Sequence, residues 1–118
     1  MNELLQQFWA LPVSLLEQCG VVLKDGSVVV LPNTHPEPLH NFQMTAESLA
    51  VYGEDIVAFW HTHPDGNANL SDTDYQNFLQ FPDQLHYIVT QTRICEYNVL
   101  DNLVYIRNVY ERGDFSFP

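Results

Sequence analysis

Apolar positions recur with two periods along this chain, and the elements can be placed where one period gives way to the other. Leu4, Leu5 and Phe8 share one face of a helix over residues 3–10, which Pro12 ends, and a second short helical turn is expected to carry Glu17. Residues 20–24 and 27–31 read as strands joined by an Asp25-Gly26 hairpin turn. After a loop rich in proline and histidine, Thr45 is placed to cap a short helix over residues 46–52. The apolar run Ile56, Val57, Ala58, Phe59 and Trp60 reads as a buried strand leading directly into His61. A second long helix spans residues 72–81, stopped by Pro82, and residues 85–90, 94–100 and 104–110 complete a mainly antiparallel set of strands. The order is that of an α+β fold, a sheet flanked by helices. Phe59, Trp60, Phe78 and Phe81 are expected in the core. The tail, residues 113–118, reads as a terminus or a cut linker.

Candidate chemistry sits where the buried strand ends. His61-Thr62-His63-Pro64 is followed by Ser71 and then Asp74. Residues two apart on a strand face the same way, so both imidazoles can address one ion, with the Asp74 carboxylate as third ligand. Two His and one acid leave the fourth tetrahedral position for water, the donor count of catalytic rather than structural zinc. His-x-His alone is also a common surface or packing pair. Ser71-Asp72-Thr73-Asp74 has a second reading as a helix start, with Ser71 as N-cap and Asp74 at the capping-box position. The two are compatible, because a helix beginning there would hold Asp74 on a rigid first turn, while Pro64-Asp65-Gly66-Asn67 turns the chain back from the strand.

His61-Thr62-His63, seven residues, Ser71, two residues and Asp74 together resemble the signature of the JAMM (MPN+) metalloprotease family. Glu17-Gln18-Cys19-Gly20-Val21-Val22-Leu23 is similar to the segment that carries an upstream glutamate in its bacterial and phage members. The stretch from Asn33 to Phe42 resembles their loop leading to a Phe and a short helix, although His35-Pro36-Glu37-Pro38-Leu39-His40 departs from it in its proline and histidine content. The resemblance implies a three-layer α/β/α fold with a curved, mainly antiparallel central sheet. It implies one Zn2+ per chain on His61, His63 and Asp74, Glu17 as general base and then acid, and Ser71 as donor to the oxyanion. Taken alone, a glutamate ahead of an apolar segment is ordinarily a solvated helix-end residue. The activity implied is hydrolysis of an amide by a metalloprotease or isopeptidase, on a peptide or protein substrate. The short chain is most similar to the phage tail-assembly type, so a tail protein is the expected partner. Processing of a ubiquitin-like sulfur-carrier protein is the alternative, as is a catalytically silent scaffold of the same fold. The complete ligand set favours the enzyme.

Composition narrows the setting. At 118 residues the chain is expected to form one domain over residues 1–118, standing alone or cut from a larger peptidase protein. Fifteen acidic against four basic side chains give a net charge of −11, which disfavours nucleic acid and anionic membranes as partners. Met1-Asn2-Glu3 does not open a signal peptide, and no apolar stretch approaches the ~20 residues of a spanning helix, so a cytoplasmic location is expected, or association with a virion if the protein is of phage origin. Cys19 and Cys95 lack metal-site spacing and are expected as packed, reduced thiols; Cys19 has no cationic neighbour to activate it. His35, His40 and His86 are expected on loops or the surface, since the ligand set is complete without them.

Overall fold

The computed structural model describes residues 2–115. The chain runs α1 (Asn2–Trp9), β1 (Cys19–Leu23), β2 (Val28–Leu31), α2 (Ala46–Ala50), β3 (Ile56–Thr62), α3 (Asp72–Leu79), β4 (Leu85–Val89), β5 (Arg93–Leu100) and β6 (Leu103–Glu111), with single 3-10 turns at Gly53–Asp55 and Arg112–Asp114. The strands form one sheet in the order β2-β1-β3-β4-β5-β6. Every pairing is antiparallel except β3 with β4. A parallel pair needs a crossover, and α3 supplies it.

The alternation of β3 distributes side chains to two faces. On one, Leu5, Phe8 and Trp9 of α1 pack against Val22, Ala58, Trp60, Tyr87, Val89 and Ile94. On the other, Phe78 of α3 meets Ile88, Cys95 and Tyr97, and Leu49 of α2 rests on Val21, Leu31 and Phe59. The result is the expected three-layer α/β/α arrangement. Gly20 is fixed by space: a Cβ there would lie 1.8 Å from the Val29 carbonyl oxygen and 2.9 Å from the Trp60 ring.

Three expectations are corrected. Glu17 is on no helical turn; it lies in an extended segment just ahead of β1, because its N–H is taken by the distant Pro38 carbonyl at 2.8 Å. Phe81 is 37 % exposed, since α3 ends before it, although its ring packs on Phe59 at 4.5 Å. His86 is buried on β4. Its ring stacks on Phe78 at 4.4 Å and its Nε2 contacts the Phe81 carbonyl at 2.9 Å, which removes the polar cost of burying it. In the tail, Phe115 packs against Trp9 and Tyr110, and residues 116–118 lie outside the described residues. No helix among the described residues is long and apolar enough to cross a membrane.

Candidate metal centre and its cleft

Each functional side chain is placed by a different piece of backbone. His61 occupies a central strand, opposite Cys19 of β1 and Ile88 of β4, and is 1 % exposed. Past the end of β3 the chain stays extended, because the His63 N–H donates to the Val89 carbonyl at 3.0 Å. His63 therefore repeats the facing of His61. The Gly66 N–H then closes the turn on the His63 carbonyl, with Gly66 at φ 83°, where glycine is unstrained. That turn brings the Asn67 carbonyl 2.6 Å from His63 Nδ1. A carbonyl can only accept, so Nδ1 carries the proton, and in the neutral ring Nε2 keeps its lone pair for the site.

Asp74 arrives from the opposite side on the first turn of α3. Its N–H donates to Ser71 Oγ at 3.0 Å, and its Oδ2 accepts the Ser71 N–H at 3.3 Å, which completes the capping box read from the sequence. The Asp74 carboxylate is buried, with Oδ1 3.1 Å from His61 Nε2 and Oδ2 3.1 Å from His63 Nε2. The two Nε2 atoms are themselves 3.1 Å apart. Tetrahedral zinc with bonds of about 2.0–2.2 Å holds its donors roughly 3.3–3.5 Å apart, so this donor set fits the ion closely. Glu17 joins them: it, His61 and His63 each offer a donor atom within 4.8 Å of the others. Opposite Cys19, His61 faces the way Cys19 does, and Glu17, two residues earlier on extended chain, faces that way too.

Electrostatics follow from the burial. Burial, followed by the neighbouring charges of Asp74 and Asp65 and opposed by His63, raises Glu17 to about 7. Burial holds His61 below its ordinary value and so neutral. For His63 the burial effect is outweighed by the Asp74 hydrogen bond, the Asn67 carbonyl and the charges of Asp74 and Glu17, and its pKa rises. Burial alone would raise Asp74, but its close contacts with the His61 and His63 rings outweigh that and hold it well below the usual carboxylate range. Burial and then the charge of Glu17 push Cys19 up to about 12, which disfavours its thiolate.

His61 is buried against His63 and Asp74, and Glu17, His63 and Asp74 line a cleft of about 490 Å³. Leu15, Leu39, His40, Asn41, Phe42 and Pro64 form part of its wall, and Ser71, which lies at the surface, faces into it. Phe42 stacks on the His61 ring with centroids 4.3 Å apart. All five residues singled out in the sequence are thus brought to one place. His35 and His40 stay on the loop, as expected. Sequence reasoning did not find the carbonyl that orients His63, because Asn67 acts through its backbone; the Pro64-Asp65-Gly66-Asn67 turn was its only trace.

A strand-borne His pair facing a helix-borne Asp across the end of a sheet defines the class. The chain belongs to the prokaryotic homologs of the JAB domain, whose family model matches residues 7–102, from within α1 through β5. No curated protein matches the chain. Membership in this family points to a metal-dependent hydrolase.

Proposed function

We propose that the protein is a zinc-dependent peptidase or isopeptidase that hydrolyses an amide bond of a peptide or protein. The convergence of His61, His63 and Asp74 beside the cleft, with Glu17 next to them, carries this reading. The two imidazoles and the Asp74 carboxylate hold one zinc per chain. When bound, zinc polarises the scissile carbonyl and lowers the pKa of its water from ~16 toward ~7. Glu17 takes the water proton and delivers it to the leaving amine, and a carboxyl raised by burial toward neutrality suits both directions. Ser71 Oγ accepts the Asp74 N–H, which leaves its hydroxyl hydrogen to donate to the substrate carbonyl oxygen as negative charge develops there. The cleft accepts an extended segment, and its wall offers apolar Leu15, Leu39 and Phe42 to the flanking residues.

Within this reading the proposed setting is phage tail assembly, on the resemblance of the Glu17 to Leu23 segment, with a tail protein as partner. Release of a ubiquitin-like sulfur-carrier protein is the competing setting, and the neighbouring genes separate the two. The enzymatic claim is tested by hydrolysis of a peptide library. A strong chelator should abolish turnover and added zinc should restore it. Turnover that survives complete removal of metal would end the zinc reading.

A further inference from the structure

We infer that Asn33 is a positioning residue for Glu17, an inference that rests on the peptidase reading. A primary amide side chain has two donors and an oxygen with two lone pairs. All four are used here. Nδ2 donates to the Glu17 carbonyl and to the Asn41 carbonyl, each at 2.9 Å. Oδ1 accepts from the His35 N–H and the Gln43 N–H, each at 3.1 Å.

Glu17 needs such support because it precedes β1 and has no place in the strand ladder. Its N–H goes to Pro38 and its carbonyl to Asn33, so both of its backbone groups are held by the loop that follows β2. Its other flank is held through Gln18. The Gln18 N–H donates to Thr62 Oγ1 at 2.8 Å, and its carbonyl accepts the Thr62 N–H at 2.9 Å. Thr62 stands between the two histidines. The loop clamped by Asn33 also presents Asn41 and Phe42 to the cleft, and Phe42 lies on the His61 ring. One side chain therefore sets the distance from the base to the cleft wall and, through Phe42, to a ligand ring.

The amide can be split by substitution. Asn33→Asp keeps the acceptors that shape the loop but has no N–H for the Glu17 and Asn41 carbonyls. In the zinc-loaded full chain, with a peptide that the wild type cleaves, Asn33→Asp should retain one zinc and lower kcat about 10- to 100-fold, the effect of displacing a reacting group by about 1 Å. KM should stay within about threefold. Exchange of the Glu17 amide hydrogen should quicken. The decisive comparison is the Glu17→Gln background: if Asn33 acts through Glu17, adding Asn33→Asp there lowers kcat no further. A drop of equal size in both backgrounds, or wild-type kcat in Asn33→Asp alone, would overturn the inference and leave the peptidase reading intact. A zinc-loaded wild type that cleaves nothing in the library would overturn both. If Asn33→Asp does not fold, Asn33→Ala, which removes both donors without adding charge, is put through the same comparison in the wild-type and Glu17→Gln backgrounds.

Discussion

Glu17 and Glu96 are both buried, at 7 % and 2 % exposure, and stand on opposite faces of the same sheet. Glu96, on the α1 side, has both carboxylate oxygens engaged. The Tyr87 hydroxyl donates to its Oε2 at 2.6 Å, Asn108 Nδ2 donates to its Oε1 at 2.7 Å, and Arg107 stands 3.6 Å away. Burial and then Glu96 itself push the Tyr87 hydroxyl above its ordinary value, so it remains a donor. Glu17 is placed through its backbone, and its carboxyl oxygens accept no hydrogen bond among the described residues. They face the cleft. Both are largely buried, so burial alone does not tell them apart. The difference lies in whether the lone pairs are already engaged.

The largest effect expected is on the proposed metal. His61→Ala with His63→Ala removes two of three proposed protein ligands, so zinc should fall from about one per chain to none by elemental analysis. Full occupancy in that double variant would place the ligands elsewhere. Glu17→Gln comes next: turnover should fall about 10²- to 10⁴-fold, with zinc content and melting temperature nearly unchanged. Near-normal turnover would remove Glu17 from the mechanism, and lost zinc would make it a ligand. Glu96→Ala should show the converse. It strands the buried Tyr87 hydroxyl at a cost of about 1–3 kcal/mol, while kcat per folded molecule stays as in the wild type. Denaturant unfolding and kinetics on the same preparations decide this. If Glu17→Gln unfolded as easily as Glu96→Ala, the contrast between the two glutamates would fail.

How much of this was legible in the sequence follows from how local each cause is. His61 and His63 were readable because strand alternation alone sets their common facing, and Asp74 because Ser71 and Asp74 cap a helix within four residues. The hairpin at Asp25-Gly26 and the Thr45 cap were local in the same sense. Glu17 was identified by family resemblance, but its conformation was read wrongly. Its partners, Pro38 and Asn33, come from a loop sixteen or more residues on, beyond the reach of any local pattern. His86 was misplaced for a similar reason: only the fold brings Phe59, Phe78 and the Phe81 carbonyl around its ring.

The smallest effect expected is none at all, and it tests whether Glu17 has a rival. Cys19 lies two residues from Glu17 and could be imagined as the nucleophile. It is buried, its Sγ faces the Leu31 carbonyl at 3.7 Å, and burial together with the charge of Glu17 pushes it up to about 12. Cys95 is buried on β5 and also raised by burial. Thiolate, the reactive form, is therefore scarce at neutral pH for both. Iodoacetamide applied to the native zinc-loaded protein should leave turnover within about twofold of the untreated value and add no mass, whereas the unfolded chain should take up two adducts. If alkylation abolished activity in a Cys95→Ser background and a chelator did not, Cys19 would be the nucleophile. Glu17 would then be the neighbour of the reactive group and not the base that serves water.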